Sequence, residues 1–223
     1  MRHVLRVCIA TTCLVLLGPS VHGEESSFET ELSAIQSEWA ASTYSSASEK
    51  DKIQSLAALS ERAGAFAEAN PARAEPLVWQ GIVLSSYAGA KGGLGALKLA
   101  KRSRAALEAA IRIDPTVLDG SAYTSLGALY FKVPGFPLGF GDDAKAREYF
   151  ERALAINPDG IDPNFFYGEF LFEQGEHAQA LEHLQKALQA PARPGRERAD
   201  AGRRGEIEAL IAKIDRQALA KRQ

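Results

Sequence analysis

Four segments of the chain end in the same way, and their spacing constrains the fold more than any other feature. They are FAEANP at 66–71, AIRIDP at 110–115, ALAINP at 153–158 and ALQAP at 187–191, with prolines 44, 43 and 33 residues apart. A proline just past a helix end is expected, because its ring cannot continue the helix and it restricts the residue before it. A recurrence of this length marks stacked supersecondary units, each unable to bury its apolar face alone.

Reading back from each proline gives a helix-hairpin register. In the last unit Gly168, Leu171, Gly175, Ala180, Leu184 and Ala187 fall at the spacing of a tetratricopeptide repeat. In the middle unit Tyr123, Leu126, Gly127 and Tyr130 match the first helix, and Gly141, Ala146, Phe150, Ala153 and Pro158 match the second. In the earlier unit Gly81 and Leu84 open the match, and Ser103, Leu107, Ala110 and Pro115 close it. Glycine in the first helix and alanine in the second let the two axes approach, while the bulky positions fill the groove between neighbouring hairpins. The glycine-to-proline distance is 34 residues in the first unit and 31 in the second, against about 24 in the 34-residue template. The extra residues, YAGAKGGLGA (87–96) and FKVPGFPLGFG (131–141), are expected as expanded interhelix loops lying side by side on one face.

The flanks are helical too. Phe28, Leu32, Ile35 and Trp39 recur at helical spacing, predicting an amphipathic helix over 27–44, and Ser48 is placed to cap a second helix running to about Ala69. Ile207, Leu210, Ile211 and Ile214 give a last helix that covers the open end of the stack. The 38 alanines among 223 residues agree with close-packed helices. The expected fold class is all-α: a tetratricopeptide-like helical-hairpin solenoid with two expanded interhelix loops and a C-terminal capping helix. The expected organisation is a signal peptide (1–23), an N-terminal helical hairpin (24–71), three repeats (72–191) and the capping helix (192–223).

The signal assignment rests on Arg2 and Arg6, the apolar run Val7 to Leu17, the Gly18-Pro19 breaker, and small or permitted residues before a cut after Gly23. Eleven apolar residues are too few to span a bilayer of about 30 Å. Both cysteines, Cys8 and Cys13, lie within this segment, and Cys13 sits in the middle of the apolar run rather than at its end. The expected product is exported and periplasmic, not a lipoprotein, with no cysteine, two histidines (His177 and His183) and a net charge of −4. A mildly acidic chain argues against bulk nucleic-acid binding.

Chemical motifs are sparse. The glycine-rich stretch Gly89 to Gly95 lacks the order of a phosphate loop and has no preceding strand. There is no GxSxG or HExxH, and two histidines cannot make a three-histidine zinc site. The sequence therefore predicts no enzyme, no metal and no cofactor. Lys91, Gly92 and Gly93 are expected in an exposed loop suited to a tight turn or a docked partner. The loop Val133 to Phe140 carries two prolines and alternating Phe136, Leu138 and Phe140. With Pro137 these form either a stiff partner anchor with little entropy to lose, or a flap sealing its own hairpin tip.

Register places Glu75, Val78, Ile82 and Ser85, then Ser121, Thr124, Ala128 and Phe131, then Asp162, Phe165, Glu169 and Phe172 on the concave face. That groove reads as apolar with an acidic end and without the lysines and asparagines of a carboxylate clamp. It is either open to an apolar or weakly cationic ligand or peptide, or filled by the N-terminal helices or the last helix. Asp142, Asp143 and Asp162 read as helix caps. The basic cluster Arg193, Arg196, Arg198, Arg203 and Arg204, interrupted by Glu197 and Asp200, reads as a solvated face or a subunit contact.

The segments SSYAGAKGGLGALKLAK (85–101), GSAYTSLGALYFKVPGFPLGFGDDAKA (120–146) and INPDGIDPNFFYGEFL (156–171) resemble exported repeat proteins grouped with the TRAP-transporter T component (TatT-like). The resemblance covers roughly 75–215. It implies a periplasmic scaffold associated with the solute-binding subunit of such a transporter, and a homo-oligomer with a ligand path. The residues alone leave two function classes: a protein-interaction scaffold, or a carrier of a small apolar ligand in the groove or at an oligomer axis.

Overall fold

The computed structural model describes residues 21–220. Among the described residues there are nine helices: α1 (Val21–Tyr44), α2 (Glu49–Ala69), α3 (Ala74–Lys91), α4 (Gly93–Ile113), α5 (Val117–Lys132), α6 (Asp143–Ile156), α7 (Ile161–Glu173), α8 (His177–Leu188) and α9 (Glu197–Ala220). No strand occurs among them, only a single bridge between Gly135 and Gly141. The signal segment up to Ser20 lies outside the described residues, and the expected cut after Gly23 falls in the first turn of α1.

α3 pairs with α4, α5 with α6 and α7 with α8, and successive hairpins stack. One glycine per hairpin makes this possible. A Cβ at Gly81, Gly127 or Gly168 would stand 2.5 Å from Leu107, 2.6 Å from Phe150 or 2.9 Å from Leu184. Those three bulky partners are completely buried, as are Ala110, Ala146, Ala153, Ala180 and Ala187 along the same seams. The small residues thus bring the axes together, and the large ones fill the space that remains. In the first hairpin the buried Ser103 hydroxyl donates to the carbonyl of Gly81 at 2.6 Å.

Local signals set the helix ends. The Ser48 hydroxyl accepts from the Asp51 amide at 3.2 Å, and the Asp142 carboxylate accepts from the Lys145 amide at 3.1 Å. Asp162 does not cap α7; Gly160 holds that position and Asp162 lies in the first turn. The first insertion is not a loop. α3 continues to Lys91 and α4 starts at Gly93, so YAGAKGGLGA is spent on longer helices with a break at Gly92. Its Ala, Leu and Lys residues favour helix on both sides, and the reversal is confined to Gly92 and Gly93, with φ of +61° and +62°. The second insertion is a true loop over 133–142.

The first and last of the described helices also meet. α9 packs on α7 and α8 and on α1, which in turn packs on α2 and α3. At the contact the ring of Tyr44 lies so close to Gly202 that a Cβ would be 2.3 Å away, and the Tyr44 hydroxyl donates to Glu206 at 3.3 Å. α9 is therefore more than an end cover. With α1 it walls one part of the concave face.

Candidate functional site

Two surfaces concentrate unusual chemistry. The first is the edge formed by the hairpin tips. The neck of the 133–142 loop is fastened by backbone bonds from Gly141 N–H to Pro134 at 2.9 Å and from Asp142 N–H to Tyr130 at 2.9 Å. Glycine is required where the chain crosses itself: a Cβ on Gly141 would stand 1.8 Å from the Val133 carbonyl oxygen. At the apex the Phe136–Pro137 peptide bond is cis. Phe136 is 94% exposed and Leu138 75%, while Phe140 turns inward against Tyr130 and beneath the guanidinium of Arg104, 4.4 Å from the ring centre. Phe136, Pro137 and Leu138 are thus presented to solvent, and Phe140 seals the tip. Lys91, Gly92 and Gly93 are exposed at the neighbouring α3–α4 turn, with Lys91 Nζ 3.3 Å from the Tyr87 hydroxyl.

Between these two tips runs an apolar cleft of about 640 Å³. Its walls include Gly89, Gly93 and Ala96 from the first insertion and Val133, Pro134 and Leu138 from the second. The two insertions do lie side by side. The cleft adjoins a smaller inner hollow of about 110 Å³, and Ser85, Ser86, Ala128 and Phe166 line both.

The inner hollow is what remains of the concave groove. Ile82, Ser85, Ser121, Thr124, Ala128 and Asp162 of the register line it, and facing them are Trp39 of α1, Arg193 and Arg196 of the segment leading into α9, and Arg203 of α9. Of the arginine cluster only Arg198 faces solvent: Arg193, Arg196 and Arg204 are part-buried, Arg203 is 8% exposed at its side chain, and Asp200 likewise 8%. Asp162 bridges two arginines, with Arg193 Nη1 at 2.7 Å and Arg203 Nε at 2.9 Å. Asp200 takes the other edge of Arg193 at 2.6 Å, and Glu206 takes Arg203 at 2.7 Å. Burial alone would raise the Asp162 carboxyl, but the guanidinium groups of Arg203 and Arg193 overcome it and hold it at about 2. The acidic end of the groove is thereby neutralised.

Arg196 is different. Its guanidinium has no ion pair or hydrogen bond among the described residues; it stands 4.8 Å over Trp79 and 5.9 Å from Trp39. Burial, and then repulsion from Arg193, lower its pKa. The sequence register misses these arginines because it considers only the first helix of each repeat, and they come from outside the repeats.

The other groove positions are structural. Val78, Phe165 and Phe172 belong to the core, with Arg203 4.5 Å over the ring of Phe165. Phe131 packs edge-on against Phe170, and Glu169 pairs with Lys132 at 2.5 Å. His183 Nδ1 lies 2.9 Å from Asn164 Oδ1, and burial lowers its pKa. His177 packs near Phe172 with its buried Nδ1 unpartnered. No group of three His, Cys, Asp or Glu side chains suited to a metal occurs among the described residues, and none of their helices is long and apolar enough to cross a membrane.

The tetratricopeptide repeat family profile matches residues 138–201, from the loop apex to the beginning of α9. Among solved structures 18 chains match. One, "Crystal structure of MamA", is 20% identical, with 76% of this chain and 81% of that chain aligned at a TM-score of 0.42. No match was found among curated proteins. The helices themselves define the class: an all-α solenoid of tetratricopeptide-like hairpins. Solenoids of this kind offer extended surfaces for binding other proteins.

Proposed function

We propose that the chain is a periplasmic interaction scaffold, exported by its N-terminal signal, that docks a partner protein through the 133–142 loop. The observation carrying this reading is the pair Phe136 and Leu138, 94% and 75% exposed on a loop fastened at its neck. An apolar apex on a pre-formed loop loses little entropy when it is covered. The resemblance of 85–101, 120–146 and 156–171 to the TRAP T component supports the solute-binding subunit of such a transporter as the partner.

The test is co-purification from a periplasmic extract with identification of the captured protein. Wild type is expected to retain a TRAP-type solute-binding subunit, and the double variant Phe136→Ser, Leu138→Ser to lose it at an unchanged melting temperature. Equal capture by both proteins sinks the loop as the docking element.

The 640 Å³ apolar cleft favours a second reading, a carrier of a small apolar ligand. Its volume falls within the roughly 300–1,000 Å³ of small-molecule sites. The inner hollow alone, at about 110 Å³, does not.

A further inference from the structure

Three hydrogen-bond donors around the inner hollow have no acceptor among the described residues. Arg196 Nε and Trp79 Nε1 are buried without partners. The Ser86 oxygen accepts from Trp39 Nε1 at 2.8 Å, which leaves the hydroxyl hydrogen of Ser86 free. The carboxylates nearby are already taken: Asp162 by Arg193 and Arg203, Asp200 by Arg193. Arg196 is the cation left over. Buried donors without acceptors are rare and costly, and spare donors around a spare cation call for a ligand that only accepts and carries negative charge.

The space has two chemistries in sequence. The inner hollow, about 110 Å³, is sized for a head group. The adjoining cleft, about 640 Å³, is walled by Ala88, Ala96, Leu97, Ala100, Leu129 and Val133. We propose that the two together bind a single-chain amphiphile with an anionic head, a fatty-acid-type carboxylate, its head on Arg196 and Ser86 and its hydrocarbon chain in the cleft.

A peptide with a free carboxyl terminus has the same head but a different body. Its backbone amides need partners at each residue. The cleft offers few: the Ser85 hydroxyl already donates to Ile82, and Lys132 is paired with Glu169. A hydrocarbon chain asks for none. The assignment rests on the carrier reading of the cleft and names the ligand class for it.

The chain has 2 tryptophans, and both Trp39 and Trp79 line the inner hollow, so intrinsic fluorescence reads occupancy directly. Delipidated protein is titrated with decanoate, dodecanoate and dodecanol below their micellar concentrations. Dodecanoate is expected to saturate one site and to bind roughly tenfold tighter than decanoate, from two added methylenes. Dodecanol is expected to bind about tenfold or more weakly than dodecanoate, for want of a charge-assisted bond. Arg196→Gln should weaken dodecanoate by about tenfold or more and leave dodecanol within about threefold. Should that variant fail to fold, the acid-to-alcohol ratio on wild type and the variant Ser86→Ala carry the test. Equal affinity for acid and alcohol overturns the head-group assignment and leaves the carrier reading standing. Binding of neither overturns both.

Discussion

Replacing Asp162 with asparagine removes the carboxylate that holds the start of α9 against the concave face. In the folded chain this carboxyl sits at about 2, against about 3.9 for an unperturbed aspartate. That lowering corresponds to roughly 2–3 kcal/mol of folding stability at neutral pH. The sign follows from the direction. A carboxyl lowered by folding contributes fully above about pH 4 and loses its contribution as pH falls from there to about 2. The arginines remain charged throughout this window, so the carboxyl alone titrates within the bridge. The substitution would leave Arg193 with Asp200 and Arg203 with Glu206, so neither cation is stranded. The expected loss at pH 7 is therefore about 2–4 kcal/mol, below that of a fully orphaned buried charge. Urea unfolding followed by far-ultraviolet circular dichroism, on wild type and Asp162→Asn at pH 7 and at pH 2.5, measures it. Other carboxylates titrate in both proteins and cancel in the difference, which should shrink by more than half at the lower pH. A difference under about 0.5 kcal/mol at pH 7, the range of ordinary surface changes, would refute the bridge as a stabilising element. So would a difference that does not change with pH.

Two further changes probe the hairpin seams. Gly127→Ala places a Cβ about where the Phe150 ring stands, 2.6 Å away, and is expected to destabilise by about 1–3 kcal/mol. The double variant with Phe150→Leu should recover part of that loss, and additivity of the two changes in urea unfolding would argue against direct contact as the cause. Ser103→Ala removes the 2.6 Å bond to the Gly81 carbonyl in a fully buried setting. It should lower stability by about 1–3 kcal/mol, and a midpoint equal to wild type would show that carbonyl to be satisfied some other way.

The hairpins are legible in the sequence because their markers are local. Gly81, Gly127 and Gly168 facing large residues, alanines along the seams, and prolines just beyond each second helix all act within one unit. Ser48 and Asp142 as caps belong to the same scale. The first insertion misleads because glycine density suggests a loop, whereas only two residues there have left-handed φ and the rest have good helix propensity. The concave positions Ile82, Ser85, Ser121, Thr124, Ala128 and Asp162 do gather around one hollow. The arginines opposite them are not legible. Arg193 and Arg203 find Asp162 across 31 and 41 residues, and a basic run broken by Glu197 and Asp200 has the pattern of a solvated face until the packing of α9 is known. Asp162 reads as a cap for the same reason: its partners are tertiary.

The contact of α1 with α9 changes what such a solenoid can bind. An open superhelix offers its whole concave face to a partner. Here Trp39 of α1 and the arginines before and within α9 stand across that face and leave an inner hollow of about 110 Å³, too small for a protein segment. The larger cleft lies instead at the hairpin tips, where it opens beside the 133–142 loop. Leu138 belongs to both surfaces, since it lines the cleft and is 75% exposed. On the proposed function, a partner seated on the loop apex and a chain lodged in the cleft would share this side chain, and their affinities would be coupled. Linkage requires the coupling to be reciprocal: whatever factor the partner imposes on the ligand, the ligand imposes on the partner. An interaction scaffold and a ligand carrier are then two readings of one surface, and the sign of that factor decides whether docking loads the cleft or empties it.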